Sequence, residues 1–150
     1  MSYTEKFTWA GKELTVKREV SPIEVVSAES KLVKLEKVNV NDPALRPSNY
    51  DKADGTVLPM YQSDGLRVDL SKRSKFPMNF WHRNMECDEL IICYKGGIRW
   101  ETELGNISLG PGEMFVIPKG IAHRSLLPEH SEGENIIIEL KIRGDVSKLI

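Results

Sequence analysis

The sequence predicts an all-β domain, an antiparallel sandwich or barrel, and three features carry that prediction. Leu66, Val68 and Leu70 alternate with Arg67, Asp69 and Ser71, the period of two that marks a half-buried strand. From there to Ile142 short apolar segments follow one another. Between them stand Gly96-Gly97, Gly105-Asn106, Gly110-Pro111-Gly112 and Lys119-Gly120, turn formers at the close spacing of a many-stranded β fold.

In chain order, residues 1–20 read as short strands about a hairpin turn at Ala10-Gly11-Lys12. Ser21-Pro22-Ile23-Glu24 has the form of a capping box with proline in the first helical position, which predicts a helix from Pro22. The β-branched Ile23, Val25, Val26, Val33, Val38 and Val40 pull the other way, so residues 23–40 are expected to hold a short helix followed by a strand. Asn41 to Gly55, NDPALRPSNYDKADG, is almost free of apolar residues and reads as a long surface loop. Beyond it strands are expected at Phe76 to Asn84, Glu89 to Lys95, Ile98 to Leu104, Ile107 to Leu109, Met114 to Ile117, Ile121 to Leu127 and Ile136 to Ile142. One domain over residues 1–150 is expected, with 1–64 as N-terminal extension and loop and 65–142 as the barrel core.

Composition narrows the partners. Lys and Arg number 21 against 22 Asp and Glu, and a net charge of -1 supplies no broad field for nucleic acid or an anionic membrane. No stretch has the length of a signal-peptide core or a membrane span, so a cytoplasmic protein is the expectation. Cys87 and Cys93 lie too close along a turn and strand for a well-formed bridge and are read as free thiols.

Alternation also sorts side chains by face. Met78, Phe80, His82 and Asn84 share one face of their strand, Glu89, Ile91 and Cys93 one face of the next, and Ile121, His123 and Ser125 one face of a third. Each is a largely apolar row with one metal-capable group, His82, Glu89 or His123. Two imidazoles and a carboxylate are the ligand set of a facial triad, which suits Fe(II), while Mn, Ni, Zn or Cu could take the same atoms. An interior Glu89 without a cation or donor would be costly to bury, and a metal would relieve that cost. Met78, Phe80, Ile91, Cys93, Trp100 and Met114 are the candidates for the pocket wall. Arg83 and Arg124 each follow a candidate ligand, so they should point to the opposite face and find ion pairs or a subunit contact there.

These residues resemble the cupin superfamily. His82-x-Asn84, four residues, Glu89, six residues and Gly96 have the spacing of its first motif, and Gly112, five residues, Pro118-Lys119-Gly120, two residues and His123 that of its second. Phe76 stands at the first motif's glycine, Asn84 at its second histidine and Leu127 at the second motif's asparagine. Within the superfamily, HRNMECDELI, TELG and PGEMFVIPKGIAHR resemble one cupin half of the homogentisate 1,2-dioxygenase family. Those enzymes are longer, with two cupin-like halves and an iron held by two histidines and a glutamate in the second. There the glutamate is six residues after the histidine; here the sixth position is Asp88 and Glu89 the seventh, and Glu89 is read as the ligand from cupin spacing and inward parity.

The resemblance implies a jelly-roll barrel, a divalent metal on His82, Glu89 and His123, and a dioxygenase acting on a small aromatic or organic acid, with Asn84 orienting a water or substrate oxygen. It also implies a homodimer. Two other readings stay open, a non-catalytic module for a small molecule or sugar and a metal-dependent isomerase or lyase.

Overall fold

Ala10 and Gly11 both take positive φ, 51° and 74°, the backbone of a two-residue turn whose twist matches the strands it joins. They link β1 (Tyr3–Trp9) to β2 (Lys12–Arg18), paired antiparallel from Tyr3↔Arg18 to Trp9↔Lys12. Ion pairs Lys6–Glu13 and Arg18–Glu5 tie the hairpin's two strands. The hairpin belongs to the first of two units, Met1–Val38 and Asn39–Ile150, in a computed structural model that describes residues 3–19, 35–130 and 133–150. The helix expected from Pro22 lies outside the described residues. Residues 35–40, the end of the expected helix-and-strand stretch, form no strand.

The second unit contains two antiparallel sheets. The larger has the order β3 (Val57–Gln62), β4 (Leu66–Lys72), β11 (Ile136–Ile142), β6 (Asp88–Lys95), β9 (Met114–Ile117). The smaller runs β5 (Met78–His82), β10 (His123–Leu126), β7 (Ile98–Thr102), β8 (Gly105–Leu109). Ile91, Cys93, Ile117 and Ile137 of the first meet Ile98, Trp100 and Leu109 of the second in one buried cluster, so the sheets pack face to face as a jelly roll. Each such side chain taken fully out of water contributes roughly 1.5–3 kcal/mol. Strands β9 and β11 have the expected bounds. β5 begins only after Pro77, which has no N–H for a ladder, residues 103–104 form a turn, and residues 121–122 are irregular backbone ahead of β10. No helix among the described residues is long and apolar enough to cross a membrane.

Strand β4 keeps its alternation, and it is the polar set that turns inward. Ser71, Asp69 and Arg67 pair across with Ile137, Glu139 and Lys141, and these with Cys93, Ile91 and Glu89, so the polar set lines the barrel interior. Asp69 and Ser71 are fully buried, whereas Leu66 is exposed. Arg73, fully buried just past the strand, makes this tolerable. Its guanidinium donates to Ser125 Oγ (2.8 Å), Ser71 Oγ (2.6 Å), Thr56 O (3.0 Å) and Lys72 O (2.8 Å), and lies 4.0 Å from Glu139 Oε1. Burial pulls the Arg73 pKa down and pushes that of Glu139 up, each opposed by the other's charge.

The division expected at residue 64 falls between β3 and β4, two paired strands, so the larger sheet begins at Val57. The stretch expected as a surface loop also packs. Val40, Tyr50 and Ala53, the last two in a 3-10 turn (Tyr50–Ala53), bury against Leu58, Leu70 and Ile136 on the sheet's outer face. Tyr50 makes this possible for so polar a segment. Its ring lies under Arg46 and Lys72, and its hydroxyl donates to Glu134 (2.9 Å).

Asp54 follows that turn and accepts the backbone N–H groups of Ser74 (3.0 Å), Lys75 (3.1 Å) and Phe76 (3.3 Å), fixing the connection into β5. Burial pushes its pKa up, the three N–H donors pull it down, and the net shift is downward. Its contribution is therefore complete above the unfolded value and disappears as pH falls through the folded one. Stability by urea unfolding should fall on acidification below about pH 4, and less steeply in Asp54→Asn than in the wild type. Gly96 has φ +75°, and an added Cβ would strike Asn135 Oδ1 and lie 2.6 Å from Glu134 O. Gly96→Ala should lose about 2–4 kcal/mol of unfolding free energy.

Candidate metal centre

Glu89 enters the barrel because β6 begins one residue earlier with a side chain that must point out. Asp88 Oδ1 accepts Lys119 N–H (2.8 Å) and Oδ2 accepts Val146 N–H (3.0 Å), bonds that hold its carboxyl well below the usual range. Alternation then turns Glu89 inward, opposite Lys141 on one side and Ile117 on the other. The two adjacent carboxylates are thereby separated in role.

The other two groups come from the smaller sheet, where His82 and His123 are cross-strand partners. Their ring centroids lie 4.3 Å apart, edge to face. His123 is 1% exposed and its Nδ1 donates to Ile121 O at 2.9 Å, which makes Nε2 the ring nitrogen turned toward the site. That Nε2 has no hydrogen-bond partner, and Glu89 Oε2 lies 3.7 Å away. His82 is half-buried with Nδ1 3.3 Å from Phe80 O. Burial, then the neighbouring His123, pulls its pKa down and favours the neutral imidazole, the form that ligates a metal.

The three side chains are thus neighbours, as the parity of three separate strands predicts. Among the described residues, however, no group of three or more His, Cys, Asp or Glu side chains is arranged to hold a metal ion. The donor chemistry itself fits a divalent metal: a buried orphan Nε2, a second neutral imidazole and a buried carboxylate.

Asn84 has a different place from the one expected. Its Oδ1 accepts the backbone N–H groups of Glu86 (3.0 Å) and Cys87 (3.1 Å), so the oxygen is committed to the turn between β5 and β6. Its Nδ2 donates to Glu89 Oε1 at 3.0 Å. The residue at the motif's second histidine therefore positions the carboxylate.

Of the expected wall, Ile91, Cys93 and Trp100 are buried, and the Trp100 ring lies 5.6 Å from His123. Burial also pushes the Cys93 thiol pKa up, and both cysteines are free. Met78 lies inward, its sulfur 3.8 Å from Arg73 Nη2. Two candidates are corrected. Phe80 is 60% exposed, because β5 is the edge strand of its sheet, and it touches the site only by packing on His82 (5.3 Å). Met114 is 58% exposed: it pairs with the outward Ile92, while its neighbour Phe115 pairs with Ile91 and packs on Trp100 at 5.9 Å. Phe115 was missed, and the parity of Ile117, two residues on, was its signal. Arg83 and Arg124 do point away from the site, paired with Glu103 (3.0 Å) and Glu101 (2.6 Å).

A jelly roll with two cupin motifs on facing strands defines the class: the protein is a cupin. The sequence model of the family described as homogentisate 1,2-dioxygenase N-terminal matches residues 56–141, and the chain belongs to that family. A Saccharolobus solfataricus protein provisionally named a dioxygenase is 24% identical over 93 residues, 59% of this chain and 24% of that relative. The chain therefore matches about a quarter of that relative's length. Among solved structures, a Bacteroides fragilis cupin protein superposes with a TM-score of 0.52 at 12% identity, covering 63% of this chain and 83% of that one. A Ralstonia eutropha protein provisionally named a mannose-6-phosphate isomerase superposes with a TM-score of 0.50 at 17% identity, over 59% of this chain and 83% of that one.

Asn84→Ala removes the acceptor for two turn amides and the donor to Glu89. It should cost about 1–3 kcal/mol in urea unfolding, a loss a merely solvated turn residue would not show.

Proposed function

We propose that the chain is a metal-binding cupin in which His82, Glu89 and His123 hold a divalent metal, Fe(II) by preference with Mn, Ni or Zn as alternatives. On this reading it is a dioxygenase of a small aromatic or organic acid. The observation that carries the proposal is the His123 ring. Its buried Nε2 has no hydrogen-bond partner and faces a buried carboxylate oxygen at 3.7 Å, two electron-rich atoms that need a proton or a metal cation between them. A proton on Nε2 or a metal would bridge the two, and the neighbouring His82 adds a second nitrogen ligand, which a metal uses and a proton does not.

When bound, such a metal would supply Lewis acidity and open coordination positions for substrate and oxygen. The protein's own contribution is placement. Asn84 fixes one oxygen of Glu89, the Ile121 carbonyl fixes the tautomer of His123, and Ile91, Trp100 and Phe115 keep water from the inner side of the site.

A second reading is a non-catalytic binding module. The matching family is the N-terminal domain, and the enzymes it resembles carry their iron in the other half.

The protein as isolated should contain close to one transition metal per chain by elemental analysis. After the bound metal is stripped with a chelator, added Fe(II), Mn(II), Ni(II) or Zn(II) should stabilise the protein by about 2.7 kcal/mol at a free concentration a hundred times Kd. His82→Ala and His123→Ala should abolish both effects. Protein without metal that gains no stability from any of the four overturns the proposal. Oxygen-electrode measurements on a panel of aromatic acids then separate a dioxygenase, which consumes oxygen, from an isomerase, lyase or module, which does not.

A further inference from the structure

We infer that two copies of the chain join through their N-terminal hairpins, β2 of one pairing antiparallel with β2 of the other about Thr15 to make one four-stranded sheet. The family resemblance implies a homodimer but no surface for it. The pairing stands independently of any metal or substrate at the barrel.

The hairpin has a side that it cannot bury by itself. Register puts Trp9, Leu14 and Val16 on one face and Thr4, Lys6, Thr8, Glu13, Thr15 and Lys17 on the other. Trp9 is 73% and Val16 37% exposed, and Leu14 is only half-buried. Among the described residues β2 pairs with β1 and with no further strand. Two strands alone are marginally stable in water, whereas three or more with an apolar face can stand independently. An unpaired edge of N–H and C=O groups is itself the template for another strand.

Charge decides which edge and which register. Residues directly opposite in an antiparallel pair share a face, so Glu5 of one β1 is never set against Lys6 of another. On β2, Glu13 and Lys17 do share a face. One register opposes them, the one centred on Thr15, and twofold symmetry makes the match twice. That register also sets Leu14 of each copy against Val16 of the other and Thr15 against itself, so the aliphatic side chains of both copies form one row across the junction. The outermost pair alone is of like charge, Lys12 against Arg18, and Arg18 is already matched by Glu5 of its own hairpin. Lysines on an edge turn away an indiscriminate strand, and Glu13 of a second copy is what answers Lys17.

The full chain, followed by sedimentation velocity over a range of concentrations, should form a dimer. Glu13→Lys and Lys17→Glu, each alone, should weaken it roughly tenfold, since each sets like charges at both matched positions. Mixing the two variants should restore it, because in the mixed pair every cation again faces a carboxylate. Glu13→Lys also loses the ion pair to Lys6 within its hairpin, which mixing does not repair, so the recovery reports the contact between copies. Thr15→Cys, in a chain whose half-buried Cys87 is replaced by serine, should form an intermolecular disulfide on mild oxidation, its two Cα atoms roughly 4.5–5.5 Å apart. Lys12→Cys in the same background should not, because the two copies of residue 12 lie roughly 20 Å apart. A monomeric chain, a dimer indifferent to Lys17→Glu, or no recovery on mixing overturns the inference. Cross-linking through residue 12 as readily as through residue 15 overturns it as well.

Discussion

The barrel depends on a guanidinium buried between its two sheets. Arg73 reaches Ser125 of β10 on one side and Ser71, Thr56 and Glu139 on the other, so a single side chain bonds elements that share no backbone ladder. An ion this deep is tolerable only with its hydrogen-bonding capacity filled, and every bond that fills it also fixes the separation of the sheets. Truncating any one partner would leave a buried charge short of a donor or acceptor.

Above that tie the interior is layered. Ile137, Cys93 and Ser71 lie lowest, then Glu139, Ile91 and Asp69, then Lys141, Glu89 and Arg67 at the mouth, each layer one step of the pleat from the next. On the smaller sheet Ser125 belongs to the Arg73 end and His123 to the Glu89 end. The Trp100 ring packs against His123 and Phe115 within this interior. The candidate centre therefore stands on packed side chains, and a cleft lined by Asn84, Arg67 and Lys141 borders it.

Much of this was legible because β6 and β10 each carry one ionisable group in an apolar row, and such a row has only one face it can bury. The strand β4 defeated the same logic. Leu66, Val68 and Leu70 alternate with Arg67, Asp69 and Ser71 whichever set turns inward, and only the register to Ile137, Glu139 and Lys141 decides. The loop at 41–55 was misjudged for a related reason: Tyr50 buries a polar segment by pairing its ring with cations and its hydroxyl with Glu134, partners far away in sequence. Asn84 was found by spacing. Its task was not, because the amides of Glu86 and Cys87 compete for its oxygen over distances that spacing does not measure.

The larger sheet has its latest strand at its centre, since β11 lies between β4 and β6. During synthesis, β3 with β4 and β6 with β9 can pair as they emerge, but the two pairs remain separate until residues 136–142 are available to bridge them. Until then Asp69 and Glu89 have no barrel to be buried in. The nascent chain therefore keeps its charged future interior in water, and the insertion that closes the barrel is the step that dehydrates it.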